Sequence, residues 1–189
     1  MNEVAEKVNG GMAAIIGLDS DKIIEELKKV DGVVEAVNFN EPKQTVIAGE
    51  KDAIAKACEV LKEAGARRVL PLKVSGPFHS PMMRPAGEEL AKVFARVSMN
   101  PLKIPYVANI NAEVITDCGR IEGLLVEQVS GSVRWQQSVE TMIREGVDTF
   151  VEIGPGKTLT GFLRKIDKNV KAYHIGSWEE AVQVCEELK

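Results

Sequence analysis

The sequence has little with which to staple itself together. Its three cysteines, Cys58, Cys118 and Cys185, are far apart and odd in number. Such a set makes neither a disulfide framework nor a zinc spacing, and it points to a reducing compartment. Long apolar runs are missing too. The longest, MAAIIGL from Met12 to Leu18, falls far short of the roughly 20 residues a membrane helix requires. The amino terminus, MNEVAEKV, is acidic and has no apolar run, so it does not read as a secretory signal. Charge of one sign is scarce: 24 Lys and Arg stand against 28 Asp and Glu, a net charge of −4. Phosphate binding needs a basic face, so nucleic acid is excluded as the principal partner. What is present is a globular composition, 44% apolar and 28% charged with the signs mixed, which excludes a disordered polar tail as the main content. At 189 residues the chain has room for one domain, or for one domain and a small extra lobe. The expectation is a cytoplasmic protein with no membrane and no nucleic acid among its partners.

Between residue 11 and residue 74 the apolar period changes in a regular way. MAAIIGL has strand length, and Ile23, Ile24, Leu27 and Val30 then recur at helical spacing. VVEAVNFN and QTVIAG read as two strands joined at Glu41-Pro42-Lys43, a hairpin. Ile54, Ala57, Cys58, Leu61 and Ala64 make a second helical stripe, and RRVLPLKV closes the unit as a strand. Pro71 inside that strand calls for an edge position or a bulge. The order β-α-β-β-α-β is the ferredoxin-like signature, with both helices on one face of a four-stranded sheet.

The remainder reads as α/β. Ser80-Pro81 looks like a helix start, and Ala86, Leu90, Val93, Phe94 and Val97 form a stripe whose first turn Pro85 makes irregular. IPYVANI reads as a strand and TFVEI, from Thr149 to Ile153, as a strand of buried type. Gly154-Pro155-Gly156 turns the latter into another helix, and KAYHI is a last strand before a terminal helix. Strands alternating with helices predict a parallel sheet.

Only two histidines are available for proton chemistry. His79, in VSGPFHSPMM, sits between a strand end and a helix start, where α/β folds collect functional groups. It reads either as a general base or as a turn histidine satisfied by local backbone. His174 lies in an apolar strand run, where a structural role is the better reading. The ending GKT of Gly154–Thr158 has the sound of a phosphate loop, but Val151 stands where its first glycine belongs and Pro155 removes a needed N–H. No residues around His79 have metal-ligand spacing, and no G-x-S-x-G elbow occurs. Ser75 and Ser80 read as turn and cap hydroxyls.

Taken in order, GGMAAIIGL, VNFNEPKQTVIAG, GPFHS, SVRWQQSVETM and VEIGPGKTLTGFLRK resemble the later part of the malonyl-CoA:acyl carrier protein transacylase family. The resemblance runs from Met1 to about Lys168. It implies a partial α/β-hydrolase-like parallel-sheet core, residues 1–10 and 75–189, carrying an inserted ferredoxin-like lobe at 11–74. It also implies transfer of a malonyl group from coenzyme A to acyl carrier protein in fatty acid synthesis. No cofactor is bound permanently; malonyl-CoA and the phosphopantetheine-bearing acyl carrier protein are the substrates and partners. By its context His79 matches the family's catalytic histidine. The family has no acidic third member, and a main-chain carbonyl in the segment Ser132-Val133-Arg134-Trp135 is expected to orient the ring. Phe78 matches the position whose bulk goes with malonyl over methylmalonyl units, Asn38 and Asn40 are candidates to face the cleft between lobe and core, and Arg134 has a weak substrate-binding role. Arg67, Arg68, Lys73 and Arg84 are candidates to meet the acidic carrier protein.

The GHSxGE serine elbow, the oxyanion glutamine and the malonyl-gripping arginine of the family match nothing in this sequence. The expectation is a split or truncated enzyme that supplies the base but not the nucleophile and is inactive until a complementary polypeptide brings the serine. The alternative is a catalytically inactive module that binds acyl carrier protein or coenzyme A.

Overall fold

A computed structural model describes residues 2–189. A short helix α1 (Asn2–Ala5) leads into β1 (Gly10–Ile16), α2 (Ser20–Leu27), β2 (Val34–Glu41), β3 (Gln44–Glu50), α3 (Lys51–Glu63) and β4 (Arg68–Pro71). The four strands form one sheet in the order β2-β3-β1-β4, and every neighbouring pair is antiparallel. Pro71 ends an edge strand, where its missing N–H leaves no ladder bond unmade. The helical stripes explain the layering. Ile23 and Leu27 of α2 and Ile54, Ala57 and Leu61 of α3 bury against Ala13, Ile15, Ala36 and Ile47 of the sheet. Each large aliphatic side chain buried in this way contributes about 1.5–3 kcal/mol. The other face of the sheet carries Met12, Ala14, Val37, Val46 and Ala48, and Phe78 packs on it from the following segment.

Beyond the sheet, one turn of 3-10 helix at Pro81–Met83 feeds α4 (Arg84–Phe94). The irregular entry follows from Pro85, which has no N–H to give to a regular first turn. Two short strands, β5 (Tyr106–Val107) and β6 (Val114–Ile115), precede α5 (Ile121–Ser130) and α6 (Trp135–Arg144). Then come β7 (Thr149–Ile153), α7 (Thr158–Ile166), β8 (Lys171–Ile175) and α8 (Trp178–Glu187). Among the described residues no helix is long and apolar enough to cross a membrane.

Three expectations are corrected here. The IPYVANI strand shrinks to the two residues of β5, paired antiparallel with β6. The Ala112 amide donates to the Ala108 carbonyl at 2.8 Å, so the chain turns back before the run is complete. Among the described residues parallel pairing joins β7 and β8 and otherwise amounts to one bridge between Asn38 and Val133. β7 is also not buried: Ile153 is 78% exposed and Val151 lies at the surface. α7 packs against β7 and places Leu159, Thr160 and Leu163 beside Phe150 and Ile153 around one cavity.

The free edge of β2 is where the two parts of the molecule meet. The Phe39 amide donates to Val133 O at 2.9 Å, and the Val133 amide to Val37 O at 2.7 Å. Further along β2, the buried Glu41 carboxylate accepts from Lys165 Nζ of α7 and from the Lys43 amide, each at 2.8 Å. These bonds hold the sheet in a set orientation over the segment that carries His79.

Candidate functional site

Residues 75–80 cross from the sheet to α4 through a turn that leaves little freedom. Pro77 and Ser80 are fully buried. The Pro77 carbonyl accepts from both the amide and the hydroxyl of Ser80, at 3.3 Å and 2.6 Å. Ser80 therefore stands at the cap position of the helical turn without acting as its side-chain acceptor. Between these anchors His79 has φ 62, one of two non-glycine residues with positive φ among those described. A side chain held there carries strain of about 1–3 kcal/mol, a feature that concentrates at functional sites. The half-buried imidazole places Nδ1 3.1 Å from the main-chain carbonyl of Gln128, near the end of α5. A carbonyl only accepts, so Nδ1 carries the hydrogen and Nε2 keeps its lone pair. That is the tautomer a general base needs.

The orienting carbonyl is not in the segment 132–135, where the resemblance put it. Ser132 O accepts from the Gln128 side chain, Val133 O from Phe39, and Arg134 O from the amide and hydroxyl of Ser138. Those carbonyls are engaged, whereas Gln128 O is one of the last four of its helix and has no intrahelical donor. A main-chain acceptor leaves no residue-type signature, and the one sequence hint was the helix end before Gly131.

Phe78 lies against both the Met12–Val46 face of the sheet and the cluster of Ala5, Met83, Ala86 and Val129. It is thus wedged beside His79 between the two parts of the chain. Asn38 pairs with Val46 in the β2–β3 register and shares the sheet face that Phe78 covers. Asn40 lies within the second irregularity of that register, on the same strand and half-buried. Arg134 is exposed, and its main chain ties into the scaffold, the amide donating to Asn109 O at 2.8 Å and the carbonyl accepting from Ser138. Among the described residues no group of three or more His, Cys, Asp or Glu is placed to hold a metal ion.

The acyl transferase domain matches residues 1–184. The chain belongs to that family. It is similar to the malonyl CoA-acyl carrier protein transacylase of Bacillus subtilis (strain 168), with 38% identity over 192 aligned residues covering 100% of this chain and 61% of the relative. The transacylase of Haemophilus influenzae is 41% identical over 177 residues, covering 93% of this chain and 57% of its own. Among solved structures, MCAT from Streptococcus pneumoniae matches with a TM-score of 0.93 and 41% identity, covering 99% of this chain and 62% of that one. A malonyl-transacylase solved in complex with a type II PKS acyl-carrier protein matches with a TM-score of 0.93 and 36% identity, covering 98% and 62%. The chain spans between 57% and 62% of the length of these relatives.

In this acyl transferase chain the Gly154–Thr158 loop is not an anion site, because an anion of the protein already fills it. Glu152 of β7 accepts from the Leu159 amide at 3.0 Å and from the Thr160 amide and hydroxyl at 2.7 Å and 2.6 Å. A carboxylate thus caps the amino terminus of α7, where the helix dipole favours negative charge. Burial opposes that charge, but the Thr160 and Leu159 donors and the neighbouring His174 outweigh it and hold the carboxyl below its ordinary range. His174 sits opposite Glu152 in the parallel pair and binds the Gly154 carbonyl through Nε2 at 2.9 Å, a structural role. Because the folded-state value of Glu152 is depressed, its contribution is complete above the unfolded carboxylate value of about 4.3 and fades as pH falls through the folded one. Glu152→Ala is expected to lose about 1 kcal/mol at neutral pH, like other lost caps. Thermal melts from about pH 7 to about pH 3 should show the gap to wild type closing as the carboxyl protonates.

Proposed function

We propose that the chain is the histidine-bearing part of a malonyl transferase that moves a malonyl group from coenzyme A to acyl carrier protein, with the nucleophilic serine supplied from outside residues 1–189. The single observation that carries this reading is His79, strained at φ 62 with Nδ1 tied to the Gln128 carbonyl and Nε2 left as a base. In the first half-reaction Nε2 takes the serine proton as the serine oxygen attacks the thioester carbonyl. The tetrahedral adduct then expels the coenzyme A thiolate, which takes that proton from the imidazolium. In the second half-reaction the phosphopantetheine thiol gives its proton to Nε2 and attacks the malonyl ester, and the serine leaves with the proton returned. The negative end of α5 beside the ring stabilises the imidazolium that forms in each half. No cofactor is needed, and substrates of this kind put the reaction in the cytoplasm.

In this reading residues 11–74 are a ferredoxin-like lobe on an α/β-hydrolase-like core of residues 1–10 and 75–189. Phe78 crowds an α-methyl group on the acyl chain. Asn38 and Asn40 line the cleft between lobe and core, and Arg134 lies at its rim. Arg67, Arg68, Lys73 and Arg84, all exposed, offer positive charge to an acidic carrier protein. The serine-bearing segment packs on the open side of β7. There a cavity of about 360 Å³ is lined by Trp135, Phe150, Ile153, Leu163 and Tyr173 among others, and the buried indole N–H of Trp135 has no partner among the described residues.

Mass spectrometry after incubation with malonyl-CoA tests the proposal. The chain alone is expected to form no malonyl ester. With a polypeptide carrying GHSxGE, an ester should form on that polypeptide's serine and pass to acyl carrier protein. An ester on Ser75 or Ser80 of the chain alone would sink the split-site reading. Binding of acyl carrier protein or coenzyme A without transfer in the mixture would leave the inactive-module reading in its place.

A further inference from the structure

The base of this site hangs on one carbonyl, and that carbonyl stands at a helix end with no conventional stop. Gly131 follows α5 with φ −106 and ψ 158, which is extended backbone and not the left-handed turn that usually closes a helix. The Gln128 side chain takes over the closing. Its Nε2 donates to Gly131 O at 2.9 Å and to Ser132 O at 3.2 Å, so both amide hydrogens are used on the departing chain. Ser132 is in turn tied to β2 through its hydroxyl, which donates to Ala36 O at 3.2 Å, and Val133 follows onto the same strand edge. Gln128 therefore sits at a crossing. Its main chain holds His79, and its side chain decides where the helix ends and how the next residues leave for the sheet.

We infer that the Gln128 side-chain amide is a positioning residue for His79: by clamping the carbonyls of Gly131 and Ser132 it aims the Gln128 carbonyl at Nδ1 and so selects the tautomer in which Nε2 is the base. The inference rests on the reading of His79 as the base of acyl transfer. Without the two donors, the last turn of α5 frays and its orphan carbonyls turn to water. The ring then loses its fixed acceptor, and the hydrogen distributes between the two nitrogens.

Because the sequence has only two histidines, long-range nitrogen–proton correlation spectra of the isotope-labelled chain contain two ring systems, and His79→Asn assigns them. Wild type is expected to show protonated-type Nδ1 and lone-pair Nε2 at His79. Gln128→Leu should give mixed tautomers at His79 and leave His174 unchanged. With the serine-bearing polypeptide, kcat should fall roughly 10- to 100-fold while KM for malonyl-CoA stays near wild type, the pattern of a misaimed group. Gln128→Met, which keeps side-chain length, repeats the test if the leucine variant melts early. A wild-type tautomer in the folded variants would overturn the inference. So would unfolding of both variants, since the residue would then be structural. Absence of transfer from the wild-type mixture would instead count against the acyl-transfer reading, and the tautomer comparison would still decide the role of Gln128.

Discussion

Replacing His79 by alanine is expected to reduce malonyl transfer by the reconstituted enzyme about 10²- to 10⁴-fold, the range a positioned general base contributes. The loss should fall on kcat, because the imidazole acts in both half-reactions and does not grip the acyl group. Ester formation on the serine of the complementary polypeptide should slow in parallel with overall turnover. Stability should change little. The ring is half-buried and makes one hydrogen bond, to Gln128 O, whose net value is about 1 kcal/mol or less. His79→Asn separates the base from the backbone. Asparagine tolerates the left-handed conformation that φ 62 requires, so it should melt near wild type and still fail to transfer. If either variant kept more than about a tenth of wild-type turnover, His79 would not be the base.

The same residue shows how far a sequence reaches. Its place between a strand end and a helix start was legible, because a Gly-Pro turn before Ser-Pro punctuates the chain clearly. The lobe was legible for a similar reason. Ile23 with Leu27, and Ile54 with Ala57 and Leu61, recur at helical spacing, and Pro71 fits one place in a sheet, its edge. What stayed hidden was whatever depends on main chain or on distant partners. The carbonyl that orients His79 belongs to Gln128 and not to residues 132–135, and any residue type presents the same carbonyl. β7 has the composition of a buried strand, yet Ile153 is 78% exposed. Composition marks the strand as apolar and does not say what lies against it.

Substituting Gly10 by alanine is expected to disturb both the fold and the site, and Gly11→Ala to disturb neither. Gly10 opens β1 opposite Glu50, and a Cβ built on it lies 2.5 Å from Cδ of Pro77. Pro77 is fully buried and its ring is rigid, so it has no rotamer by which to yield. Nor can residues 76–77 retreat the other way, since a Cβ on Gly76 would stand 2.6 Å from Cβ of Ala5 in α1. The turn is gripped between β1 and α1, and overpacking of this kind costs about 1–3 kcal/mol. For a chain of this size the melting temperature should drop by about 2–10 °C. The strain then passes along a short path. The Pro77 carbonyl holds the amide and hydroxyl of Ser80, and His79 lies between them, so a shift of the proline ring re-aims the imidazole. Transfer should fall more than the melting temperature alone explains, by about tenfold or more. Gly11, the next residue on the same strand, has nothing within 4 Å of a built Cβ, so alanine there tests the loss of a glycine without the clash. Equal melting temperatures and equal turnover for the two variants would mean that the lobe does not set the position of His79.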